Sequence, residues 1–291
     1  MHILLLGKIG QLGWELNRCL ATLGKVTAID YPEMDLSKPA EAGEIISRHH
    51  PDVVLNATAY TAVDRAESEP ELARAINGIA PGFMADQARQ IGAAFIHYST
   101  DYVFDGTKGS PYVESDATNP LNEYGRSKLE GERAVIDAGG AYLILRTSWV
   151  YSTRKESFVS KVLSWSRQQE TLRIVSDQVS NPTWCRMLAG LSAQLLVKGG
   201  RDFAGWLGER AGLYHLAGSG FGSRLDWAQA ILAYDPHREE QVVREIQPAL
   251  TEEFPSPAQR PLFSALNCDR FQETFGLQLP DWKDALKMAM E

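Results

Sequence analysis

Apolar residues in the first third of the chain fall into short continuous runs separated by amphipathic stretches. The runs are apolar on both faces, as expected of strands covered on two sides, and they span residues 2–6, 26–29, 53–57 and 93–98. The stretches between them repeat apolar residues at helical spacing, such as Leu16, Leu20 and Leu23. This alternation predicts an α/β protein with a parallel, doubly wound sheet and helices on both faces.

The segments that follow the predicted strands are rich in glycine or polar residues. They are 7–13, Asp30, 57–61 and 99–101. Another strand is predicted at 142–147, after a helix that begins near Tyr124. Ligands of doubly wound sheets bind beyond the carboxyl ends of the strands, so we expect the functional site at this edge.

The alternation becomes irregular after Tyr151. Apolar spacing there predicts shorter elements: helices near 158–165, 187–196, 225–233 and 282–290, and strands near 172–175 and 213–217. The prolines of 251–261 predict an extended loop. His215, on an apolar strand, is expected to be a hydrogen-bonded core histidine rather than a base. The second half therefore predicts a smaller unit interleaved with the sheet.

The composition is that of an ordinary globular protein, with 291 residues, 44% hydrophobic and 23% charged. A net charge of −8 argues against a nucleic-acid partner bound through a broad basic face. Cys19, Cys185 and Cys268 are far apart, which favours a reducing cytoplasm and argues against a zinc site. The apolar start is short for a signal peptide, and no stretch approaches the ~20 apolar residues of a membrane span.

A glycine-rich turn connects the first strand to the first helix. Gly7, Gly10 and Gly13 follow a Gly-x-x-Gly-x-x-Gly pattern, which permits a tight turn and close approach of a pyrophosphate to a helix N-terminus. Asp30 ends the second strand, where an acidic side chain suits an adenosine ribose 2′-hydroxyl. No arginine follows within a few residues to neutralise a 2′-phosphate. We therefore expect a nicotinamide dinucleotide, with NADH preferred over NADPH.

Tyr124 and Lys128 stand four residues apart near the start of a predicted helix. That spacing places both side chains on one face, one turn apart. An ammonium beside a phenol favours the phenolate, so Lys128 is expected to lower the pKa of Tyr124 and suit it to proton transfer near neutral pH. The same spacing also occurs in ordinary amphipathic helices, so the pair alone leaves both interpretations open.

Longer strings give the pair its context. They lie at 7–16, 62–70, 97–104, 120–125, 146–151, 257–261 and 279–282, and they include Ser-Thr-Asp-Tyr-Val-Phe and Arg-Thr-Ser-Trp-Val-Tyr. With these strings the chain resembles the extended short-chain dehydrogenase/reductase family, and within it the branch that acts on a dTDP-linked deoxy sugar. The resemblance covers nearly the whole chain, from residue 7 to 282.

The resemblance implies a Rossmann sheet with a smaller α/β substrate-binding domain. Residues 1–150 would form the dinucleotide-binding domain, with returns near 184–198 and 212–218, and residues 151–291 would form mainly the substrate domain. The implied reaction moves a hydride from NADH or NADPH to the C4 ketone of dTDP-4-dehydro-L-rhamnose. The product, dTDP-L-rhamnose, would serve cell-surface polysaccharide and lipopolysaccharide synthesis.

By this resemblance, Tyr124 gives a proton to the carbonyl oxygen, Lys128 supports Tyr124 and holds the nicotinamide ribose, and Thr100 donates a hydrogen bond to the same oxygen. A strand-end hydroxyl that caps the next turn is the alternative for Thr100. The positions expected to contact the cofactor are Gly7, Gly10, Gln11, Leu12, Gly13, Asp30, Asp35, Leu36, Ala59, Tyr60, Thr61, Tyr98, Thr100, Tyr124 and Lys128.

Four residues are expected on the substrate side. The resemblance implies that Thr100 contacts the ketone, that Trp149 packs against the sugar and that Asp101 positions the sugar hydroxyls. Arg260 lies in the proline-rich loop, where its guanidinium fork suits phosphate oxygens. A core aromatic at a domain junction is the alternative for Trp149, and a surface residue is the alternative for Arg260.

One departure from the family concerns magnesium. Some bacterial members dimerise through a Mg²⁺ ion held by acidic side chains, and Glu15 matches one of these positions. The segment 184–190, where further acidic residues would be expected, contains no carboxylate. We therefore expect no bound metal and either a monomer or a metal-free homodimer. Glu15 alone would favour the N-terminal end of its helix.

Two other functions are compatible with the fold. A nucleotide-sugar epimerase or dehydratase would need a further acid or base, such as a glutamate directly after the Thr100–Asp101 pair, whereas this chain has Tyr102. A non-catalytic regulatory subunit, like the related one of methionine adenosyltransferase, is the second alternative. The intact set of Thr100, Tyr124 and Lys128 argues against it. The sequence thus favours simple ketone reduction.

Overall fold

The computed structural model describes residues 1–291 and contains a parallel six-stranded sheet. Its strands are β1 (His2–Leu6), β2 (Lys25–Ile29), β3 (Val53–Asn56), β4 (Ala94–Thr100), β5 (Tyr142–Thr147) and β10 (Gly212–His215). Their order across the sheet is β10-β5-β4-β3-β1-β2, and every neighbouring pair is parallel. From β1 the chain adds β2 on one side and then β3, β4, β5 and β10 on the other, which confirms the predicted doubly wound sheet.

Six further strands lie outside this sheet. They are β6 (Val150–Tyr151), β7 (Thr171–Val175), β8 (Val179–Ser180), β9 (Thr183–Trp184), β11 (Gly222–Ser223) and β12 (Glu245–Ala249). They form the two-stranded pairs β11-β8, β12-β7 and β6-β9.

The helices complete the layers. They are α1 (Gln11–Leu20), α2 (Pro39–His49), α3 (Val63–Ala66), α4 (Pro70–Arg74), α5 (Ala80–Gln90), α6 (Glu123–Ala138), α7 (Phe158–Ser166), α8 (Cys185–Gly199), α9 (Phe203–Gly208), α10 (Arg224–Tyr234), α11 (Asp269–Phe275) and α12 (Trp282–Met290). A π-helical turn spans Ala75–Ile79, and 3₁₀ turns span Asp101–Val103, Gly200–Asp202, Arg238–Glu240 and Thr251–Glu253.

Two hydrophobic cores cover the faces of the sheet. Successive residues of a strand point to opposite faces, so Ile3 and Leu5 pack in one core and Leu4 and Leu6 in the other. The first core includes side chains of α1, α8, α9 and α11, and the second includes side chains of α2, α5 and α6. Because both faces are buried, the strands read as continuous apolar runs.

A third core lies away from the sheet. It joins α7, α10 and α12 to the pair of β7 and β12, and its largest members are Tyr151, Trp227 and Trp282. Residue 151 is where the regular alternation of the sequence changes. None of the helices combines the length and apolar character that crossing a bilayer requires.

Several short elements were not predicted. Strand β12 contains Pro248 and a charged start, and it forms because it pairs in register with β7 at the edge of a small sheet. Helix α9 has only 6 residues and two glycines, and α11 has 7 residues. Elements of this length carry too few apolar repeats to reveal a helical period, and tertiary contacts determine them.

Glycine substitution tests how tightly the first turn packs. A Cβ on Gly13 would lie 1.8 Å from the backbone oxygen of Gly7, whereas a Cβ on Gly190, within α8, would meet nothing within 4 Å. We expect Gly13→Ala to lower the free energy of unfolding by about 1–3 kcal/mol through overpacking. Gly190→Ala, its matched control, should raise it by about 0.5–1 kcal/mol. Urea unfolding measures both, and equal effects would contradict this packing.

Candidate active site

Helix α6 carries Tyr124 and Lys128, and its start is fixed by a cap. Asn122 precedes the helix, and its side-chain oxygen accepts a hydrogen bond from Gly125 N at 2.8 Å. A capped first turn holds the backbone of Tyr124 in place. The four-residue spacing then brings Lys128 onto the same face one turn later, deeper in the fold, where its side chain is 1% exposed.

The end of β4 brings Thr100 to the hydroxyl of Tyr124. The Thr100 hydroxyl lies beside that of Tyr124 and acts to lower the pKa of the phenol. Thr100 Oγ1 also accepts from Tyr102 N at 3.2 Å and donates to Asp101 Oδ1 at 3.1 Å. The ring of Tyr102 packs edge-to-face on the ring of Tyr124, with 5.8 Å between centroids. Thr100 therefore caps the following turn and also reaches the phenol.

Lys128 does not act on Tyr124 as expected. Its ammonium nitrogen lies 2.7 Å from Tyr98 O and 3.2 Å from His97 Nε2. Burial raises the pKa of Tyr124 well above its usual value, and Asp101 raises it further, against the opposing hydrogen bond with Thr100. Burial lowers the pKa of Lys128 to about 8. The predicted lowering of the Tyr124 pKa is thus wrong for the protein alone, because desolvation dominates.

A buried ion pair holds α6 against the sheet. Glu132 accepts from Arg146 at 2.7 and 2.8 Å and from Ser99 Oγ at 2.6 Å. Glu132 is 1% exposed and Arg146 is 3% exposed. Ser99 and Arg146 are register partners on β4 and β5, one residue before Thr100 and its partner Thr147. One carboxylate therefore ties the helix to both strand ends that border the site.

Two other polar residues prove to be structural. Asp101 is 2% exposed, and its carboxylate accepts from Ser180, Ser264 and Thr100. Burial raises its pKa to about 6, against those hydrogen bonds. Three hydroxyls of the chain itself therefore bond to this carboxylate, and the expected contact with sugar hydroxyls stays a prediction. His215 is fully buried, and its ring nitrogen lies 3.1 Å from Tyr112 O, as expected of a core histidine.

A cleft opens beyond the carboxyl ends of β1, β2 and β3. It is lined by Gly7, Ile9, Gly10, Asp30, Tyr31, Met34, Asp35, Leu36, Ser37, Ala57, Thr58, Ala59, Leu72 and Ile76. Six of the predicted cofactor residues lie among them: Gly7, Gly10, Asp30, Asp35, Leu36 and Ala59. The Asp30 carboxylate accepts from Ile9 N at 2.9 Å and from Tyr31 N at 2.8 Å, so it also shapes the glycine turn.

This cleft fits a dinucleotide. Helix α1 begins directly after Gly10 without a side-chain cap, so its first N–H groups remain available to an anion. A Cβ on Gly7 would lie 2.9 Å from the backbone of Ala57, so only glycine permits this turn. Gln11 Oε1 is buried and has no hydrogen-bond partner within the protein. An unpaired buried acceptor at the turn is readily satisfied by a ligand.

The remaining residues predicted to contact the cofactor do not line this cleft. The side chain of Leu12 packs against the core and Gly13 packs on Gly7. The Tyr60 hydroxyl donates to Glu69, and Thr61 is exposed. The Tyr98 ring is buried, with its hydroxyl 2.7 Å from Ser192 Oγ, so only its backbone faces Lys128. A cofactor contact through the Tyr98 side chain is therefore not available.

Trp149 lies at the junction between the sheet and the third core. Its φ of 40° is a left-handed conformation that a bulky residue rarely adopts. The indole stacks on Trp227 with 5.5 Å between centroids, and the Arg224 guanidinium lies 3.8 Å from its centroid. Strain of this kind persists where the surroundings impose it, commonly at functional sites.

Arg260 is held by a carboxylate in the protein alone. Its two terminal nitrogens reach Asp64 at 2.8 and 3.1 Å, which fixes the proline-rich loop to the first half of the chain. The guanidinium of Arg260 also lies beside the hydroxyl of Tyr102, and so does the guanidinium of Arg224. Tyr102 thus joins the Tyr124 phenol to two guanidinium groups.

A second cleft of about 550 Å³ lies on the other side of this junction. Its lining combines cations with aromatic and aliphatic surface: Phe158, Lys161, Trp165, Arg173, Ile174, Val175, Gln178, Arg224, Thr251, Phe254, Pro255, Ser256 and Arg260. Lys161 pairs with Glu156 and Arg173 with Glu253, while Arg224 stacks over rings. The cleft suits an anionic ligand with a flat apolar part.

The sequence pointed to neither Arg224 nor His97 as site residues. Arg224 is the first residue of α10, and only the fold brings it beside Trp149 and Tyr102. His97 lies within a buried strand and would be taken for a core residue.

Glu15 faces a cation that belongs to the chain itself. Glu15 is 5% exposed, and both carboxylate oxygens lie 3.4 Å from Arg186 Nε. Arg186 falls within the segment where further acidic residues would be needed for a metal. The guanidinium therefore balances the one carboxylate that matched a magnesium ligand.

Comparison with known proteins gives consistent matches along the whole chain. Residues 1–291 match the family model described as the RmlD substrate binding domain. The chain is 43% identical over 293 residues to the dTDP-4-dehydrorhamnose reductase of Burkholderia thailandensis, covering 100% of this chain and 98% of that protein.

Solved structures agree. The dTDP-4-dehydrorhamnose reductase of Clostridium acetobutylicum superposes with a TM-score of 0.90 at 33% identity, covering 100% of this chain and 98% of the other. The enzyme of Bacillus anthracis, in complex with NADP, gives a TM-score of 0.88 at 29% identity over 99% and 97% of the two chains.

Removing the charge of Glu132 tests the clamp on α6. Glu132→Gln should lower the free energy of unfolding by about 3–5 kcal/mol, because it leaves Arg146 buried without its counter-ion. Glu130→Gln is the matched control two residues away, since Glu130 pairs with Arg74 at the surface and its loss should change stability little. Thermal or urea unfolding measures both, and similar stability of the two variants would refute the clamp.

Proposed function

The chain belongs to the dTDP-4-dehydrorhamnose reductases of the RmlD family, and we propose on that premise how its own residues carry out the reaction. It is an oxidoreductase that uses a nicotinamide cofactor to reduce the C4 ketone of dTDP-4-dehydro-L-rhamnose to dTDP-L-rhamnose. The observation that carries the proposal is the proximity of the Thr100 hydroxyl to the Tyr124 phenol, at the strand edge where the glycine turn opens.

The reaction requires a hydride and a proton. A bound NADH or NADPH supplies the hydride, which forms the new C–H bond at C4. Tyr124 gives its proton to the carbonyl oxygen, which becomes the hydroxyl of the product, and the resulting phenolate takes up a proton from solvent. In sum, ketone, reduced cofactor and one proton give alcohol and oxidised cofactor. Thr100 donates to the same oxygen while negative charge develops on it.

A raised pKa suits Tyr124 as the acid. Burial disfavours the phenolate, so Tyr124 keeps its proton at neutral pH and releases it only to a stronger base. An alkoxide forming at C4 is such a base. Lys128 then serves to stabilise the phenolate once it forms and to hold the ribose hydroxyls, rather than to ionise the phenol beforehand. Both side chains lie on α6, whose position Glu132 fixes.

The second cleft supports a site for the nucleotide diphosphate. Arg224 faces this cleft without a carboxylate partner of its own among the ion pairs, so its charge is free for phosphate oxygens. Arg260 is the further cation proposed from the sequence, although Asp64 already balances part of its charge. Trp149 packs against both Arg224 and Trp227, close enough to the junction for its indole edge to meet the sugar.

For the cofactor we propose a preference for NADH. Asp30 lies at the end of β2 in the adenosine part of the cleft, where its charge would repel a 2′-phosphate. The one nearby cation, Lys8, is paired with Glu33 at 2.7 Å, and Glu33 itself accepts from Asp30 N. Both features favour an unphosphorylated ribose.

We also propose that the protein acts in the cytoplasm as a monomer or a metal-free dimer and contacts no nucleic acid. Its three cysteines are free, as is usual in a reducing compartment. The partner of Glu15 is Arg186, which leaves no reason for a bridging cation at that carboxylate. The domain division at residue 150 is supported by the third core, which gathers side chains from Trp149 onward.

Tyr124→Phe tests the proton donor. We expect turnover to fall by a factor of about 10²–10⁴, the usual cost of losing a general acid. NADH binding, measured by fluorescence titration, should change little because the phenyl ring is retained. Turnover close to that of the unaltered enzyme would remove Tyr124 from the role.

Cofactor choice is tested by steady-state kinetics with NADH and NADPH. We expect a higher kcat/KM with NADH, and we expect Asp30→Asn to reduce the difference, because it removes the charge but keeps the side-chain shape. Both oxygens of Asp30 accept from backbone N–H groups, so asparagine retains one of these bonds. A higher kcat/KM with NADPH in the unaltered enzyme would overturn the preference.

Metal dependence is tested by analytical ultracentrifugation with and without EDTA. The sedimentation coefficient is expected to stay the same, since the Glu15 carboxylate is balanced by Arg186. Arg186→Ala provides a sensitised variant in which an added Mg²⁺ ion would find Glu15 unpaired. A dimer of the unaltered protein that dissociates with EDTA would contradict the proposal.

A further inference from the structure

A chain of buried hydrogen bonds leads from strand β3 to the active-site lysine. Thr58 N donates to Asn56 Oδ1 at 3.1 Å, and Thr58 Oγ1 donates to the same oxygen at 2.5 Å. Asn56 Nδ2 lies 3.0 Å from His97 Nδ1, and His97 Nε2 lies 3.2 Å from Lys128 Nζ. Asn56, His97 and Lys128 are each at most 1% exposed. Solvent therefore has almost no access to these three side chains.

The direction of every bond in this chain follows from one fixed donor. A backbone N–H only donates, so Thr58 N requires the oxygen of the Asn56 amide to face it. The amide nitrogen of Asn56 must then face His97, and it also only donates. Nδ1 of His97 is therefore an acceptor. A neutral imidazole that accepts at Nδ1 carries its proton on Nε2, which is the nitrogen that faces Lys128.

This tautomer decides which form of Lys128 fits. An ammonium has three N–H donors and no lone pair, so it cannot accept from the Nε2–H of His97, whereas a neutral amine can. Lys128 still donates to Tyr98 O at 2.7 Å. Within the protein, an ammonium would thus have one good acceptor and one opposing N–H.

The surrounding charged groups do not remove this conflict between an ammonium at Lys128 and the Nε2–H of His97. Glu132, one turn further along α6, attracts a charge on Lys128, but its carboxylate is already bonded to Arg146 and Ser99. Burial keeps the pKa of His97 well below its usual value, so an imidazolium is not formed there. The Tyr124 hydroxyl lies beside that of Thr100.

We propose that Asn56 and His97 are positioning residues that control the charge of Lys128. Asn56 holds His97 as its Nε2–H tautomer. This tautomer allows Lys128 to lose a proton readily in the free protein. When the cofactor binds, its ribose hydroxyls join Tyr98 O as hydrogen-bond acceptors for Lys128. Lys128 is then held as an ammonium. Cofactor binding and proton uptake at Lys128 are then one coupled event. This inference deepens the proposed function and rests on it for the identity of the bound cofactor.

The first test reads the tautomer directly. Long-range ¹H–¹⁵N spectra of ¹⁵N-labelled free protein distinguish a protonated ring nitrogen from an acceptor, and the His97 signals are assigned by their loss in His97→Gln. We expect Nε2 to carry the proton and Nδ1 to be the acceptor at neutral pH. A protonated Nδ1, in either the neutral ring or an imidazolium, would overturn the proposal. The reading needs no cofactor or substrate, so it is independent of the proposed reaction.

An isosteric substitution should reverse the direction of the hydrogen bonds made by His97. Asn56→Asp offers two acceptor oxygens, one for Thr58 N and one for His97, so His97 should move its proton to Nδ1. Its Nε2 lone pair would then accept from Lys128 as an ammonium. Thr58→Val is the matched control, because it removes the hydroxyl but keeps the backbone N–H, and its His97 tautomer should not change. An Nε2–H tautomer that persists in Asn56→Asp would refute the mechanism.

The second test measures proton uptake when NADH binds. Calorimetric titrations in buffers of different ionisation enthalpy should detect up to one proton taken up at a pH about one unit above the Lys128 pKa of about 8. The uptake should fall as the pH is lowered through that pKa and should be largely lost in Asn56→Asp. Binding without proton uptake at the higher pH would contradict the coupling, even if the enzyme reduces its ketone normally.

Discussion

Helix α6 can serve the site only because one buried carboxylate fixes it to the sheet. Glu132 bonds to Ser99 on β4 and to Arg146 on β5, directly before the residues that end these strands. The strands are parallel, so their ends lie at one edge, and the glycine turn opens at the same edge. Glu132 therefore holds the proposed proton donor on α6 beside Thr100 on β4, at the edge where the cofactor cleft opens.

Desolvation governs the chemistry of this edge. It raises the pKa of Tyr124 and lowers the pKa of Lys128, so it disfavours the charged form of both groups in the protein alone. A neutral phenol is the form that a ketone reductase needs before hydride transfer. Negative charge on this phenol then develops only as its proton passes to the substrate. The hydrogen-bond chain through His97 further disfavours an ammonium at Lys128, since it presents an N–H and not a lone pair to Lys128.

The sequence predicted those parts of the protein that follow from periodicity and local motifs. The strands of the sheet, the glycine turn and the spacing of Tyr124 and Lys128 were all visible, because a buried parallel strand and a helix face each leave a short repeat. The direction of the Tyr124 pKa was wrong, since it depends on burial that no local pattern reveals. Asp101 was expected near the sugar, and its carboxylate accepts from Ser180 and Ser264, which come from distant segments, and from its neighbour Thr100.

Arg224 and His97 are site residues that local sequence patterns did not reveal. Arg224 becomes part of the site only when α10 packs beside Trp149, and His97 only when β3 places Asn56 next to it. These contacts join residues far apart in the chain, and each residue alone has an ordinary local setting. Long-range pairs of this kind are what the fold adds to the motifs.

The most direct test of the central claim follows the hydride itself. The enzyme is supplied with NADH deuterated on the transferred position of the nicotinamide, together with dTDP-4-dehydro-L-rhamnose in ordinary water, and the product is examined by NMR. The account predicts deuterium bonded to C4 of dTDP-L-rhamnose and an exchangeable proton on the new hydroxyl. A product without deuterium at C4, or a substrate returned unreduced, would contradict it.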